Sequence, residues 1–187
     1  MTVRTCLCLL TRPAGSARGK RRAAGPGGRE LLLGYKKAGF GAGRWVGLGG
    51  HVEDGEEPAE AAVREVAEES GLIVAASALT HMATLAFMFP ARPAWDQTAE
   101  VYAATEFSGE PAESDELIPR WFAVDELPLD GMWDDARYWL PLVLAGEQVG
   151  ACITFADDCA TVAAISPDLP VLVNTRRKTP GLKHRSR

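Results

Sequence analysis

Gly50-His51-Val52-Glu53-Asp54-Gly55-Glu56-Glu57-Pro58-Ala59-Glu60-Ala61-Ala62-Val63-Arg64-Glu65-Val66-Ala67-Glu68-Glu69-Ser70-Gly71-Leu72 is the stretch on which the reading of this 187-residue chain turns. Pro58 suits the first position of a helix, where its missing N–H goes unused, and Gly71 suits the left-handed residue that ends one. The spacing therefore predicts a helix over Pro58–Ser70. At about 100° per residue, Ala59, Ala62, Val63, Val66 and Ala67 share one side that packs on a sheet, while Glu65, Glu68 and Glu69 cluster on the other. Like charges at i, i+3 and i+4 repel by roughly 0.2–0.5 kcal/mol per pair, and acids in a last turn face the negative end of the helix dipole. The pattern is unfavourable unless a cation sits among the carboxylates. Hard oxygen donors of this kind suit Mg2+, above all where a substrate phosphate supplies further oxygens.

Toward the N-terminus, residues 37–50 are dense in glycine (Gly39, Gly41, Gly43, Gly47, Gly49, Gly50), which suits tight turns and close approach of backbone to a ligand. Residues 2–10 and 30–35 read as two strands. The Gly-, Ala-, Pro- and Arg-rich residues 12–29 between them read as a flexible, solvated basic loop. Beyond the helix, apolar runs at 72–74, 84–89, 99–104 and 121–124 read as strands, and Val149–Phe155 as a late one. Residues 137–145 read as a second helix, in which Pro141 must occupy the first turn or introduce a kink. Strands before, between and after two helices predict an α/β fold, a sandwich around a mixed β-sheet. It forms one domain over residues 1–160, followed by an extension, 161–187, that ends in a disordered basic tail.

Composition narrows the function. No apolar run approaches the roughly 18 to 20 residues of a membrane span, and Cys6 to Leu10 is too short for a signal-peptide core. A cytoplasmic protein without a membrane partner is expected. Cys6, Cys8, Cys152 and Cys159 lack the paired spacing of a zinc site and read as small buried apolar residues. The net charge of −5 hides an asymmetry: residues 30–175 hold seven basic residues against all 25 acids, a charge of −18. So acidic a core does not hold a nucleic-acid backbone by counterion release, and an anionic substrate needs bound cations.

The pattern G-x5-E-x7-R-E-U-x-E-E-x-G-U, with U aliphatic, is met at Gly50, Glu56, Arg64, Glu65, Val66, Glu68, Glu69, Gly71 and Leu72. By this pattern the chain resembles the Nudix hydrolases. The resemblance implies a loop–helix–loop held in an α/β/α sandwich and Mg2+- or Mn2+-dependent cleavage of a nucleoside diphosphate linked to a further group. It also implies that Glu65, Glu68 and Glu69 ligate metal with the carbonyl of Gly50, that Arg64 orients the helix acids, and that Glu56 and Gly71 are structural.

The flanks look like the branch of that family that hydrolyses oxidised purine nucleoside triphosphates such as 8-oxo-dGTP. They are residues 33–45, Glu113-Ser114-Asp115-Glu116, Trp121-Phe122 and residues 132–141. This likeness implies that Lys36 lies near the phosphates or base, that Glu113 is a further metal ligand or base, and that Phe40, Phe87 and Trp133 wall a purine pocket. Thr5, Val46, Asp134 and Asp135 are the remaining expected substrate contacts. Two departures bear on selectivity. Val46 stands where the branch has a base-binding asparagine, and the tandem acids follow Trp133 without an intervening proline, so an ungapped match pairs Asp135 with the first purine-reading aspartate and Ala136 with the second. Two lost polar contacts to a base edge cost selectivity of about 10²-fold or more.

The expected reaction places the base between Phe40 and Trp133 and the phosphates over the acidic helix, with Glu68 or Glu113 accepting a proton from water and pyrophosphate leaving. The alternative keeps the chemistry and changes the substrate to unmodified dNTPs, nucleotide sugars, dinucleotide polyphosphates or RNA 5′ ends. A silent nucleotide-sensing module is disfavoured because every acid of the pattern is present. No nucleic-acid partner is required, and a monomer or weak dimer is expected.

Overall fold

The computed structural model describes residues 3–15 and 28–167. In chain order the elements are β1 (Val3–Pro13), β2 (Arg29–Lys36), β3 (Trp45–Val46), α1 (Pro58–Ser70), β4 (Thr80–Met88), β5 (Gln97–Ala104), β6 (Leu117–Ala123), α2 (Ala136–Leu144), β7 (Val149–Phe155) and β8 (Val162–Ser166). The strands form one sheet in the order β3-β2-β1-β5-β4-β7-β8, with β6 on the other side of β2. Pairing of β1 with β5 and of β4 with β7 is parallel and the rest antiparallel, so the sheet is mixed as expected.

The short apolar run in β1 organises both layers. Cys6, Cys8 and Leu10 point to one face, where they pack with Ala61, Ala62 and Val66 of α1. Leu9 points to the other, where α2 contributes Ala136, Trp139, Leu140, Val143 and Leu144. A strand buried on both faces reads as a continuous apolar stretch rather than an alternation, which is what residues 6–10 show. Three of the four cysteines are buried and all four are free, and burial pushes the Cys6 and Cys8 thiols up to about 11 and about 12.

Several sequence expectations need correction. Residues 72–74 do not form a strand: only Ile73 makes a bridge, to Ser108, while Leu72 and Val74 are buried in the α1-side core. Their apolar character reflects burial of a connection, not sheet pairing. The basic loop is shorter than 12–29, because Arg12 and Pro13 belong to β1 and Arg29 to β2, in register as Arg12↔Glu30 and Pro13↔Arg29. Arg12 pairs with Glu30 at 2.8 Å and lies over Trp121, which gives that end of the strand side-chain partners. Residues 16–27 and the expected tail fall outside the described residues. Strand β3 and strand β8, which pairs with β7, have no counterpart in the sequence reading. The second helix covers Ala136–Leu144, one residue earlier than expected, and Pro141 sits in its interior rather than its first turn. Among the described residues, no helix is long and apolar enough to cross a membrane.

Candidate active site

Helix α1 starts and stops where its sequence predicts. Pro58 opens it, the Glu60 carboxylate accepts from the Glu57 N–H at 3.1 Å, and Gly71 closes it at φ 71° with its N–H bonded to Ala67. The buried stripe is rotated from the expected one. Ala61, Ala62, Val66, Ser70 and Glu69 are buried, whereas Ala59, Val63 and Ala67 are only partly so. The three glutamates consequently differ: Glu69 is 3% exposed, Glu65 is largely covered and Glu68 is 60% exposed.

The glycine-rich loop before α1 runs along β1, with Cys8 N–H donating to Leu48 at 2.7 Å, Cys6 N–H to Gly50 at 2.9 Å and Val52 N–H to Arg4 at 3.0 Å. At Gly49 this close approach requires glycine, whereas at Gly50 the neighbour is a side-chain end that can shift. At Gly49, φ is 150° and an added Cβ would run into the Cys6 backbone; at Gly50 it would lie 2.6 Å from the Glu65 carboxyl carbon. Gly49 then donates its N–H to Glu69 Oε2 at 2.8 Å, tying the last turn of the helix to the loop.

Arg64 gathers three of the acids around one cation. Its guanidinium grips Glu56 in a two-point contact of 3.0 and 3.1 Å, reaches Glu65 at 2.9 Å and Glu68 at 3.0 Å, and donates to the His51 carbonyl at 3.0 Å. Glu56 also accepts from the Glu53 N–H at 3.1 Å, so it anchors the loop as expected, and Arg64 lowers its pKa. The same partners, Glu56 first, raise that of Arg64. Lys36 bridges Glu116 at 2.9 Å and Glu69 at 3.5 Å. Burial works against its charge, yet these two carboxylates leave its pKa above the ordinary lysine value. Burial pushes Glu69 up to about 7, opposed by the Gly49 N–H and Lys36 and reinforced by Glu65.

Glu65, Glu68 and Glu69 line a cleft of about 680 Å³ together with Glu113, Ser114, Asp115, Glu116 and Lys37. Glu113 faces the helix acids across this cleft and pairs with Lys37, which also reaches the Ser114 carbonyl at 2.6 Å. Glu65 and Glu68 meet on Arg64, whereas Glu69 pairs with Lys36. Among the described residues no three acidic, histidine or cysteine side chains are drawn together as a ready metal cage, because Arg64 and Lys36 stand among them. The donor set nonetheless suits a hard divalent cation. Carboxylates and the Gly50 carbonyl are all oxygen donors, and the Glu69 carboxylate is buried beyond what its two partners compensate.

A second cavity, of about 740 Å³, adjoins the cleft and shares Glu65, Glu68 and Glu116 with it. Thr5, Lys36, Phe40, Val46, Phe87, Trp133 and Asp135 all line it, so seven of the eight residues expected to contact substrate are brought together. The eighth, Asp134, is not. Its carboxylate accepts from the Val162 N–H at 2.8 Å and pairs with Arg137 at 2.9 Å, so it ties β8 to the segment that leads into α2. Asp135 and Ala136 both line the cavity beside Met132 and Trp133. Asp135 is 5% exposed, accepts from Trp139 Nε1 at 2.7 Å, and is pushed up to about 6 by burial.

No slot for a base is preformed between Phe40 and Trp133. The two rings stack on each other at 5.0 Å, whereas a base between them needs about 7 Å, twice a carbon–carbon contact. Phe89, Phe155, Met132, Trp139 and Gln97 line the cavity without having been singled out in the sequence. Phe89 and Phe155 alternate into the α2-side core like ordinary strand residues, so periodicity alone does not mark them as pocket. Lys37 and Glu116, missed as well, were signalled by the Lys36-Lys37 pair and by the acids that surround Glu113.

Comparison with known proteins agrees with this geometry. The chain is 40% identical over 129 residues to the oxidized purine nucleoside triphosphate hydrolase of Mus musculus, covering 69% of this chain and 81% of that protein. It is 45% identical over 115 residues to the protein of the same name from Danio rerio, covering 62% and 72%. The fold matches the crystal structure of a MutT protein from Bacillus halodurans with a TM-score of 0.67 at 20% identity, over 89% of this chain and 99% of that one. The model of the NUDIX domain matches residues 23–143, which take in the glycine-rich loop, the acidic helix and both cavities' main walls. A loop fitted to β1 through the obligatory Gly49, an arginine-braced acidic helix and this match lead to one conclusion: the chain belongs to the Nudix family of hydrolases.

Proposed function

We propose that the chain hydrolyses oxidised purine nucleoside triphosphates such as 8-oxo-dGTP to the nucleoside monophosphate and pyrophosphate, with Mg2+ as the natural ion and Mn2+ as a substitute. The observation that carries this reading is the adjacency of two cavities of different character. One is acidic and suited to a cation-bridged polyphosphate; the other is walled by aromatic rings around one buried acid and suited to a base. The mouse and zebrafish relatives, by their names, act on oxidised purine nucleoside triphosphates, which supports the same choice.

In this reading Glu65, Glu68 and Glu69, with the Gly50 carbonyl and Glu113, would hold the divalent ion. Such an ion neutralises phosphate charge and makes a bound water a better nucleophile. The chain's own residues do the rest. Arg64 keeps Glu65 and Glu68 oriented, and Lys36 and Lys37, at the cleft rim, meet the phosphate charge. Glu68, the most exposed helix acid, or Glu113 accepts the proton of the attacking water. Trp133 and Phe87 supply flat apolar walls, and Asp135 meets the base edge. Water adds to phosphorus, the phosphoanhydride bond breaks, and pyrophosphate departs. Four free thiols support a reducing, cytoplasmic setting, and the acidic core supports action on free nucleotides as a monomer or weak dimer.

A second reading, broader specificity within the same chemistry, is favoured by Val46 and Ala136, which line the base cavity without polar side-chain atoms. The test is pyrophosphate release from 8-oxo-dGTP, 2-hydroxy-dATP, dGTP and ADP-ribose in Mg2+, compared as kcat/KM. A preference of at least ~10-fold for the oxidised purines is expected, and equal rates on dGTP refute the substrate assignment.

A further inference from the structure

Gln97 opens β5, in register with Val3 of β1 on one side and Phe87 of β4 on the other. Side chains alternate along a strand, and Ala99 and Val101, two and four residues on, both point into the α2-side core. The Gln97 side chain therefore points to that side too, where the aromatic cavity lies and where Gln97 is among its lining residues. It is partly buried, and no described residue gives its carboxamide a hydrogen bond. Thr5, a neighbour in the same cavity, differs in this respect, since its hydroxyl already donates to the Thr98 carbonyl at 3.3 Å. A carboxamide carries two donor hydrogens and an acceptor oxygen, and leaving them idle beside aromatic walls is unfavourable unless a ligand or water takes them.

We propose that Gln97 is a specificity-determining residue, whose carboxamide reads the edge of the purine from the β5 side of the cavity, opposite in origin to Asp135 on the loop before α2. This rests on the purine reading above and names a contact that stands in for those Val46 and Ala136 do not make. The chemistry favours oxidised guanine. An amide presents an acceptor and a donor side by side, the arrangement that pairs with adenine at N6 and N7. Unmodified guanine offers two acceptors there, N7 and O6, so the amide oxygen would face a lone pair. Oxidation at C8 places a hydrogen on N7, turning that edge into a donor beside an acceptor. The amide oxygen then accepts from N7–H while the amide nitrogen donates to O6.

The experiment compares the wild type with Gln97→Leu and Gln97→Met, both of which keep similar bulk and lack the carboxamide donor and acceptor. Pyrophosphate release is measured with 8-oxo-dGTP, dGTP and a deoxyribose 5′-triphosphate lacking a base. In Gln97→Leu the ratio of kcat/KM for 8-oxo-dGTP over dGTP is expected to fall ~10- to 100-fold, chiefly through KM, while turnover of the base-less compound stays within ~2-fold. Gln97→Met serves the same comparison where the leucine variant folds poorly, with a fall of at least ~5-fold expected. An unchanged ratio in a variant that turns over the base-less compound normally overturns the role of Gln97 and leaves the purine reading standing. A wild type that cleaves the base-less compound as well as it cleaves 8-oxo-dGTP overturns the purine reading itself, and this role with it.

Discussion

Phe40 lies stacked on Trp133, with ring centroids 5.0 Å apart and planes 21° from parallel. Phe40 is 43% exposed and is carried between Gly39 and Gly41, both at positive φ, on a turn that leaves its ring at the surface. Trp133 is held from more sides: the Arg44 guanidinium lies 4.4 Å from its ring centre and also donates to the Met132 carbonyl, and Phe89 and Phe155 pack edge-on against it. A base that stacks on the Phe40-covered face of Trp133 has to displace Phe40, because the two rings leave no gap between them.

The two aromatics should respond unequally to truncation. Base stacking is worth about 1–3 kcal/mol per ring, so Trp133→Ala is expected to raise KM for a purine triphosphate ~10- to 100-fold with a smaller change in kcat. Phe40→Ala is expected to change KM by less than ~5-fold, because it removes a competitor for the Trp133 face as well as a wall. Titration with a non-hydrolysable purine triphosphate, followed by tryptophan fluorescence, separates these outcomes; equal losses would contradict the displacement of Phe40.

Arg64 should not be replaceable by lysine. One guanidinium satisfies Glu56 at two points, Glu65, Glu68 and the His51 carbonyl, and an ammonium does not reproduce that planar fork. Arg64→Lys is expected to lose ~10²-fold or more in kcat, and Arg64→Ala to lose stability on the order of 1–2 kcal/mol as well, discounted for the exposure of the site. Denaturant midpoints and initial rates measured on both variants check this. A fully active lysine variant would show that charge alone suffices.

Glu69→Gln separates catalysis from folding. The amide oxygen can still accept from the Gly49 N–H, while the buried charge disappears. Turnover in Mg2+ is expected to drop on the order of 10²–10⁴-fold, the worth of several kcal/mol of charge stabilisation, with the melting temperature unchanged or raised. Near-wild-type rates at saturating Mg2+ would remove Glu69 from the ion site.

Asp135 makes stability depend on pH in an identifiable window. Burial raises its folded-state pKa to about 6 from an unfolded value of 3.8, so the folded protein holds a proton there that the unfolded chain has released. Stability from this group is complete below about pH 4, falls as pH rises through about 6, and is level above that. The expected loss is about 2–3 kcal/mol across the window. Asp135→Asn keeps an acceptor for Trp139 Nε1 and should flatten this part of the profile, gaining stability at neutral pH. Urea midpoints from pH 4 to 8 for both proteins measure it, and parallel profiles would place the titration elsewhere.

Gly49→Ala tests the seam between the loop and β1. At φ 150° a side chain is strained, and the new Cβ would strike the backbone of Cys6, which cannot move without breaking the β1–β5 ladder. The strain alone is worth about 1–3 kcal/mol, a fall of roughly 2–12 °C in melting temperature. Activity should fall with it, since the Gly49 N–H orients Glu69.

What the chain determined by itself was local: the limits of α1, set by Pro58 and Gly71, the acidic positions in its last turns, and a β1 apolar on both faces. Those features repeat within one element, so spacing and residue type suffice to read them. Tertiary structure decided the direction in which side chains were covered. Glu69 became buried while Glu68 stayed exposed because the loop at Gly49 closes over one side of α1 only. Asp135 entered the aromatic-lined cavity while its neighbour Asp134 turned to β8, a strand supplied from 28 residues away. Residues 72–74 and Gln97 show the same limit: an apolar run or a lone glutamine has one appearance in sequence and several fates in space. Which fate applies depends on the element packed against it, and that information lies outside the local pattern.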